Sequence, residues 1–321
     1  MNFQPFDRLP IVEWAMWWDK TVAAWQAQGL DKGLDRYGLY RHFGLDMWYQ
    51  DWVAPWVPAA RSHGAAVVNT AAEYAELRQT LYRKDPVNLG MWRQWAEEQR
   101  RGDAVLWVTL QGFFWYPRTL FGIEPHLYAF YDQPELMHQM NEDLLAWNLE
   151  VIEAICEVTV PDFMTFAEDM SYNHGPMLSK ELFDEFLAPY YRRIVPELQR
   201  RGILTVIDSD GDITEAAGWY GGCGIDGMLP LERQAGVDMA ELRRRYPAMR
   251  FIGHFDKMTM PRGREAMAAE FERLLPVARQ GGFIPGVDHQ TPPGVTLAQY
   301  GEYLELYRAF AERAGRSEVV K

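Results

Sequence analysis

Residues 204–211 read LTVIDSDG, a short branched apolar run that ends in two carboxylates and a glycine. The apolar part is typical of a buried β-strand, and Asp210-Gly211 is typical of a chain reversal. A segment with helical character, residues 180–201, comes directly before it. Helix, buried strand and polar turn in this order predict a parallel sheet, in which the polar turn lies at the carboxyl end of the strand.

The same alternation continues along the chain. Strands are also predicted at residues 9–14, 105–110, 163–166, 227–231, 251–252 and 283–284. Helices are predicted at residues 73–82, 134–155, 180–201, 238–246, 264–279 and 297–314. We therefore predict an α/β fold with one domain over residues 1–321, a single (β/α)8 TIM barrel whose active site lies at its C-terminal mouth. A doubly wound open sheet is the alternative.

Two helix starts carry capping residues. Ser179 precedes the helix that begins near Lys180, and Thr296 precedes the helix that begins at Leu297. Each side-chain oxygen is expected to accept a hydrogen bond from a backbone N–H of the first turn.

Composition narrows the class of protein. The hydrophobic fraction is 48% and the charged fraction is 24%, as in globular domains. The 32 basic and 45 acidic residues give 32 − 45 = −13, which disfavours nucleic acid and anionic membranes as partners. Without a secretory leader at residues 1–10, and with cysteines only at Cys156 and Cys223, a cytoplasmic location is expected. The oligomeric state stays open.

Polar side chains follow nearly every predicted strand. In parallel α/β folds the loops after the strands build the active site. In chain order these candidates are Glu13, Gln111, Glu168 with Asp169, Asp208 with Asp210, Glu232, His254 with Lys257, and Asp288 with His289. The sequence therefore predicts a mouth rich in carboxylates.

Asp208 and Asp210 are two residues apart in an extended segment, so their side chains point to the same side. Two adjacent carboxylates either bind a divalent cation or share a proton. A histidine beside a carboxylate suits the same chemistry. We predict metal ligands at Asp208, Asp210, Asp288 and His289, and catalytic roles for Asp208, Asp210, His289, Glu168 and Asp169. A structural turn at residues 208–211 and a histidine bonded to backbone are the alternatives.

Tryptophans crowd the first fifth of the chain. Trp14, Trp17 and Trp18 follow the first predicted strand and suit an aromatic wall for a flat or cationic substrate. Packing of helices is the alternative role for these rings. The full predicted substrate-binding set is Trp14, Trp17, Trp18, Glu13, Gln111, Glu232, His254 and Lys257.

A series of motifs in the second half of the chain resembles the uroporphyrinogen decarboxylase superfamily. They are 166–170 (FAEDM), 175–179 (GPMLS), 186–193 (FLAPYYRR), 208–212 (DSDGD), 230–232 (PLE), 252–257 (IGHFDK) and 281–284 (GGFI). The resemblance covers roughly residues 160 to 310 well and the N-terminal half loosely. It implies a (β/α)8 barrel with its site at the C-terminal mouth.

The superfamily contains two chemistries. Its namesakes decarboxylate uroporphyrinogen without a cofactor and carry an arginine-bearing segment after the first strand, where this chain has residues 16–20 (MWWDK). The other branch transfers methyl groups with corrinoid proteins and holds zinc through histidine and cysteine. Here Asp208-Ser209-Asp210-Gly211 aligns with the first ligand pair and Asp288 or His289 falls near the third, so that oxygen donors replace the thiolates.

The resemblance favours a methyltransferase that acts on a small organic substrate. Its expected cofactor is a divalent metal, zinc or a harder ion, and its expected methyl partner is a corrinoid protein. Two alternatives stay open. One is a lyase, including a decarboxylase, that uses the carboxylates as acid and base. The other is a non-catalytic barrel that binds a tetrapyrrole or a corrinoid.

Overall fold

The fold is built on a curled parallel sheet. The structure is a computed structural model that describes residues 1, 3–57 and 66–315. Its strands are β1 (Trp48–Trp52), β2 (Val105–Gln111), β3 (Phe163–Ala167), β4 (Ser171–Tyr172), β5 (Gly175–Pro176), β6 (Leu204–Ser209), β7 (Gly227–Pro230), β8 (Arg250–Phe255) and β9 (Phe283–Val287). Seven of them pair in the order β1-β2-β3-β6-β7-β8-β9, and every pairing in this sheet is parallel. β4 and β5 form a separate antiparallel pair.

Helices connect the parallel strands. They are α1 (Asp19–Ala27), α2 (Arg36–Phe43), α3 (Ala71–Leu81), α4 (Leu89–Arg101), α5 (Trp115–Phe121), α6 (Ile123–Asp132), α7 (Pro134–Cys156), α8 (Lys180–Phe186), α9 (Ala188–Arg200), α10 (Ala216–Gly221), α11 (Met239–Arg245), α12 (Arg264–Ala278) and α13 (Leu297–Gly315). Short 3-10 helices follow β7 and β8. The predicted α/β fold with a parallel sheet and crossover helices is therefore confirmed.

The predicted strand at residues 9–14 is wrong, because these residues have no regular strand structure. Pro10 has no N–H to give to a neighbouring strand. The N–H of Ile11 donates to the Asp46 carboxylate at 2.8 Å, and the Ile11 carbonyl accepts from the N–H of Asp46 at 2.9 Å. The segment thus contacts the β1 side of the sheet partly through a side chain, which is not the ladder of a strand.

The same segment also reaches β9, the opposite edge of the sheet. The indole N–H of Trp14 donates to the Val287 carbonyl at 2.6 Å, and Glu13 accepts from the N–H of Val287 at 3.4 Å. Residues 9–14 therefore lie where the eighth strand of the predicted barrel was expected. Within the described ranges the parallel sheet has seven strands.

Two further differences concern strand and helix limits. β1 lies outside the predicted strands. Its sequence WYQDW has polar residues at two of five positions and belongs to the tryptophan-rich first fifth of the chain. The predicted helix at residues 180–201 is two helices, α8 and α9, separated at Leu187. Pro189 lies in the first turn of α9, the part of a helix that tolerates a residue without an N–H.

Both predicted caps are confirmed. The Ser179 hydroxyl accepts from the N–H of Leu182 at 3.3 Å, and the Thr296 hydroxyl accepts from the N–H of Gln299 at 3.1 Å. Cys156 and Cys223 are both free thiols.

None of the helices in the described ranges combines the length and the hydropathy that a bilayer crossing requires.

Glu13 is 1% exposed and holds the 9–14 segment against the neighbouring elements. Its carboxylate accepts from the Tyr300 hydroxyl at 3.1 Å, and its backbone carbonyl accepts from the hydroxyl of Tyr40 and, at 3.2 Å, from the indole of Trp48. Burial raises the pKa of Glu13 from 4.5 to about 7, although bonds from Val287 and Tyr300 act in the opposite direction. This residue therefore serves the fold.

A raised carboxyl pKa gives a defined pH dependence of stability. The Glu13 carboxyl keeps its proton in the folded chain up to about pH 7, whereas the unfolded chain loses it above 4.5, so its contribution to stability falls between these values. We expect the free energy of unfolding of the wild type to fall, relative to Glu13→Gln, by up to about 3 kcal/mol from about pH 5 to about pH 8. Urea titrations at both pH values measure this difference.

Glu76→Gln is the matched control, because Glu76 is exposed on α3. Its difference from the wild type should not change with pH. If the Glu13→Gln difference were equally flat, the buried carboxyl would not have a raised pKa.

Candidate active site at the strand ends

Parallel pairing brings the acidic turns together. In the register of the sheet Ala167 lies beside Asp208, and Ser209 lies beside Pro230. The residues that follow β3, β6 and β7 are therefore neighbours at one edge. The N–H of Asp210 donates to the Asp169 carboxylate at 3.2 Å, and the N–H of Gly211 donates to the Glu232 carboxylate at 2.9 Å. These bonds fix the loops that carry the side chains of the mouth.

Asp210, Glu232 and His289 form the centre of the mouth. One ligand atom from each lies within 4.8 Å of the other two, and all three side chains are half-buried. The Asp210 carboxylate and His289 Nε2 are 3.7 Å apart. Two oxygen donors and one nitrogen donor, half-exposed and mutually close, can bind a divalent cation or exchange a proton.

The predicted ligand set and this group overlap in part. Asp210 and His289 belong to both. Glu232, predicted to bind substrate, contributes the third ligand atom. Asp208 and Asp288 stand outside the group.

Burial and neighbouring negative charge raise the carboxyl pKa values of the mouth. Burial and the charges of Asp169 and Glu232 raise the pKa of Asp210 to about 7, and the charge of Lys257 opposes them. Burial, with the charges of Asp169 and Asp210, raises the pKa of Asp208 well above its ordinary range. Burial also raises the pKa of Asp169. At neutral pH the mouth therefore holds protons on carboxyl groups unless a cation replaces them.

Asp288 is fully buried and already paired. It accepts from the Lys257 ammonium at 3.2 Å, and from the backbone N–H groups of Arg233 at 3.0 Å and Lys257 at 3.3 Å. Lys257 also donates to the Gln234 side chain at 2.8 Å.

Burial and the positive charge of Lys257 both lower the pKa of His289, which favours the neutral imidazole that can accept a proton or bind a metal.

Glu168 was predicted to be catalytic, and the structure places it inside the protein with 0% exposure. It accepts from the Tyr191 hydroxyl at 2.6 Å and from the backbone N–H groups of Phe114 and Trp115 at 2.9 and 3.1 Å. Burial raises its pKa to about 7, against the effect of the Tyr191 bond. The side chain therefore anchors the start of α5 and does not face the Asp210 group.

His254 is likewise fully buried. Its Nδ1–H donates to the Leu231 carbonyl at 2.8 Å, and its Nε2 accepts from Arg273 at 3.3 Å. Burial and the charge of Arg273 lower its pKa to about 4, so the ring is neutral. Leu231 has a φ of +66° and directly precedes Glu232. His254, which was predicted to bind substrate, thus bonds to the residue with positive φ that precedes Glu232.

The three predicted wall tryptophans have different positions. The ring of Trp14 meets His289 edge-on, with centroids 6.1 Å apart. Trp17 is 7% exposed and packs against Tyr40, Phe43 and Tyr300, which is the alternative role of helix packing. Trp18 is 41% exposed at the start of α1. Gln111, predicted as a substrate contact, is 6% exposed at the end of β2.

Arg118 is a residue of this region that the sequence analysis missed. It lies in α5, donates to the Asp169 carbonyl at 3.2 Å and covers the Trp115 ring at 4.7 Å. Burial lowers its pKa, and the negative charge of Asp169 acts in the opposite direction. Arg118 is seven residues beyond Gln111, so it is not among the polar residues that directly follow a predicted strand.

Comparison with known proteins identifies a family. The sequence profile of the family described as Uroporphyrinogen decarboxylase (URO-D) matches residues 108–310, more than half of the 321-residue chain. No curated protein matches the chain in sequence.

Two solved structures are similar in fold. One is a Listeria monocytogenes protein described as a candidate vitamin-B12-independent methionine synthase, with 13% identity, a TM-score of 0.44, and coverage of 96% of this chain and 97% of that one. The other is the YdhT protein from Bacillus subtilis, with 12% identity, a TM-score of 0.49, and coverage of 93% and 84%.

The role of His254 can be tested through stability. His254→Leu leaves the buried Leu231 carbonyl without its donor, removes one of the acceptors of Arg273, and should lower the free energy of unfolding by about 2–3 kcal/mol. His254→Asn retains a donor near the position of Nδ1, so its loss should be smaller. Urea titration of both variants measures the difference, and His174→Leu, at an exposed histidine, is the control. Equal losses in His254→Leu and His254→Asn would contradict a bond to Leu231 as the reason for the histidine.

Proposed function

The chain belongs to the uroporphyrinogen decarboxylase family, and from this premise we propose that it is an enzyme that transfers a methyl group from a small organic substrate, with a divalent cation held at the mouth by Asp210, Glu232 and His289. The observation that carries the proposal is the approach of their three ligand atoms to within 4.8 Å of one another. The site lies at the carboxyl ends of parallel strands, where such folds bind substrates.

The donor set fits a divalent cation. Two carboxylates and a neutral imidazole are ligands that Mn²⁺, Fe²⁺, Co²⁺ and Zn²⁺ accept. Both thiols of the chain lie away from this group, Cys156 at the end of α7 and Cys223 before β7, so a thiolate-bound zinc is not the expected form. When bound, the cation supplies Lewis-acid stabilisation of negative charge on a substrate oxygen.

The surrounding residues keep the three ligands available. Lys257 and two backbone N–H groups bind Asp288, which leaves Asp210 without competition from that neighbour. The N–H of Gly211 orients Glu232, and the Trp14 ring packs against His289. Without a cation, Asp210 and His289, at 3.7 Å, could exchange a proton instead.

The methyl-transfer part of the proposal rests on the resemblance to the corrinoid-dependent branch of the superfamily. In that branch a corrinoid protein accepts or supplies the methyl group, and we extend this partner to the present chain. Asp208, Asp169 and Arg118 then lie around the bound substrate rather than on the cation.

A lyase reaction, including decarboxylation, is the second candidate. The observation that favours it is the 3.7 Å approach of the Asp210 carboxylate to His289, at a place where burial raises the pKa of Asp210 to about 7, which suits a general acid at neutral pH. In that case Asp210 and His289 act as an acid–base pair. The two candidates differ in whether the protein requires a cation.

Binding of a cation is the first expected result. Mn²⁺ or Zn²⁺ added to metal-free protein should bind at near one ion per chain and raise Tm by about 5 °C, because a ligand that binds only the folded chain stabilises it. Asp210→Asn and Glu232→Gln should lose most of this increase. Differential scanning calorimetry with elemental analysis measures both quantities.

Asp103→Asn is the control, since Asp103 is an exposed residue paired with Arg101. It should keep the full increase in Tm. An unchanged Tm in the wild type would remove the cation from the proposal and leave the acid–base lyase. The non-catalytic binder also predicts no change, so activity must separate those two.

Activity is tested with reduced cobalamin as a probe for the corrinoid partner. The wild type should convert cob(I)alamin to methylcobalamin, followed by absorbance, with at least one donor among methanol, methylamines, methylated thiols and aromatic methyl ethers. Asp210→Asn and His289→Ala should reduce the rate by about 10²-fold, whereas Asp103→Asn should not. Turnover that survives Asp210→Asn undiminished would contradict the site. Release of CO₂ from an added carboxylic acid, with no methylcobalamin formed from any of the methyl donors, would favour the lyase.

A further inference from the structure

A second cavity opens at the other end of the sheet. Its volume is about 630 Å³, within the range of small-molecule sites. Residues at or near the starts of the strands line it, so it lies inside the curled sheet below the mouth; they include Trp48, Val105, Phe163, Leu204, Ile252 and Ile284. In closed barrels this interior is filled by side chains. We call this space the lower cavity.

Three aromatic rings form one continuous wall of the lower cavity. The rings of Trp48 and Trp107 have centroids 4.8 Å apart, and those of Trp107 and Phe163 are stacked at 5.1 Å. Both indole N–H groups are already bonded within the protein, to the Glu13 carbonyl at 3.2 Å and to the Thr165 hydroxyl at 2.8 Å. This wall is therefore apolar and has no unpaired donor, which suits an apolar molecule built on aromatic rings.

The charged side chains of the cavity wall are Asp46 and Asp162. Asp46 accepts from Arg8 and from the N–H of Ile11, and Asp162 accepts from the N–H of Leu106 at 2.8 Å. Both carboxylates serve the fold, and Arg8 compensates the charge of Asp46. Met1, which carries the α-amino group, also lines the cavity, so charges of both signs border it, and a neutral ligand is the one that brings no further charge to desolvate.

We propose that the lower cavity is a binding site for a neutral, apolar molecule built on aromatic rings, separate from the mouth. Four properties carry the proposal: the volume, the three-ring wall, the satisfied polar groups and the mainly apolar lining. Trp14 also lines the cavity, and its ring contacts His289 at 6.1 Å, so a ligand that reaches Trp14 touches a residue shared with the mouth.

The test uses a fluorescent pair that differs in charge. N-phenyl-1-naphthylamine is neutral and fluoresces in apolar surroundings, and 8-anilinonaphthalene-1-sulfonate is an anionic analogue with the same rings. The neutral dye should bind the intact protein saturably at one site, and the sulfonate should bind at least about tenfold more weakly.

Cavity-filling variants locate the dye. Leu204 and Ile284 are half-buried wall residues on β6 and β9, so Leu204→Phe and Ile284→Phe place a larger side chain in the open space. Each should weaken binding of the neutral dye by at least about tenfold. Ile123→Phe makes the same change on the exposed face of α6 and should leave binding unchanged.

Calorimetric melting shows which variants fold. If Leu204→Phe does not fold, the affinity of Ile284→Phe for the neutral dye is the result that tests the proposal. Saturable binding that both fillings weaken, and that Ile123→Phe does not, supports the lower cavity. Absence of saturable binding, or equal affinity in the filled variants, would overturn it. Equal affinity for the sulfonate would overturn the requirement for a neutral ligand.

Discussion

The convergence of carboxylates at the ends of parallel strands is the constraint on which the rest of this structure depends. Parallel strands end at the same edge, and here β3, β6, β7 and β9 are each followed by an acidic residue within two positions. Like charges held this close resist joint ionisation. Burial and these like charges together raise the pKa values of Asp169, Asp208 and Asp210. The pairing of Lys257 with Asp288 reduces this repulsion, and a bound cation would reduce it further.

The acidic side chains near the strand ends fall into two groups. Glu13, Glu168 and Asp288 are buried and bonded to backbone N–H groups, tyrosine hydroxyls or Lys257, so they stabilise the 9–14 segment, the start of α5 and the loop after β9. Asp210 and Glu232 remain half-exposed beside a neutral imidazole. This division separates the acids that hold the scaffold from those available to a cation, a proton or a substrate. It also explains how a chain can keep so many acids at one edge and still fold.

Much of this arrangement was predictable from the sequence, because it depends on local pattern. The apolar runs before Asp208, Glu168 and Asp288 and the caps at Ser179 and Thr296 predicted the parallel sheet and the residues at its edge. Other features depend on tertiary contacts that the pattern does not contain. Nothing in the sequence near Glu168 indicates that its carboxylate turns toward Tyr191, and nothing near residues 9–14 indicates that Asp46 takes the Ile11 N–H. Asp210, Glu232 and His289 follow three different strands, so only the folded chain shows that they are close together. Adjacency in the sequence predicted Asp208 and Asp288 as ligands and did not include Glu232 among them.

The central claim is that Asp210, Glu232 and His289 act as one cation site. Crystals soaked in Mn²⁺ and measured at a wavelength where manganese scatters anomalously test it most directly. We expect one strong anomalous peak at the mouth, within about 2.0–2.3 Å of a carboxylate oxygen of Asp210, a carboxylate oxygen of Glu232 and a ring nitrogen of His289. A peak bound instead by Asp208 and Asp288, or no peak at the mouth at saturating Mn²⁺, would contradict it.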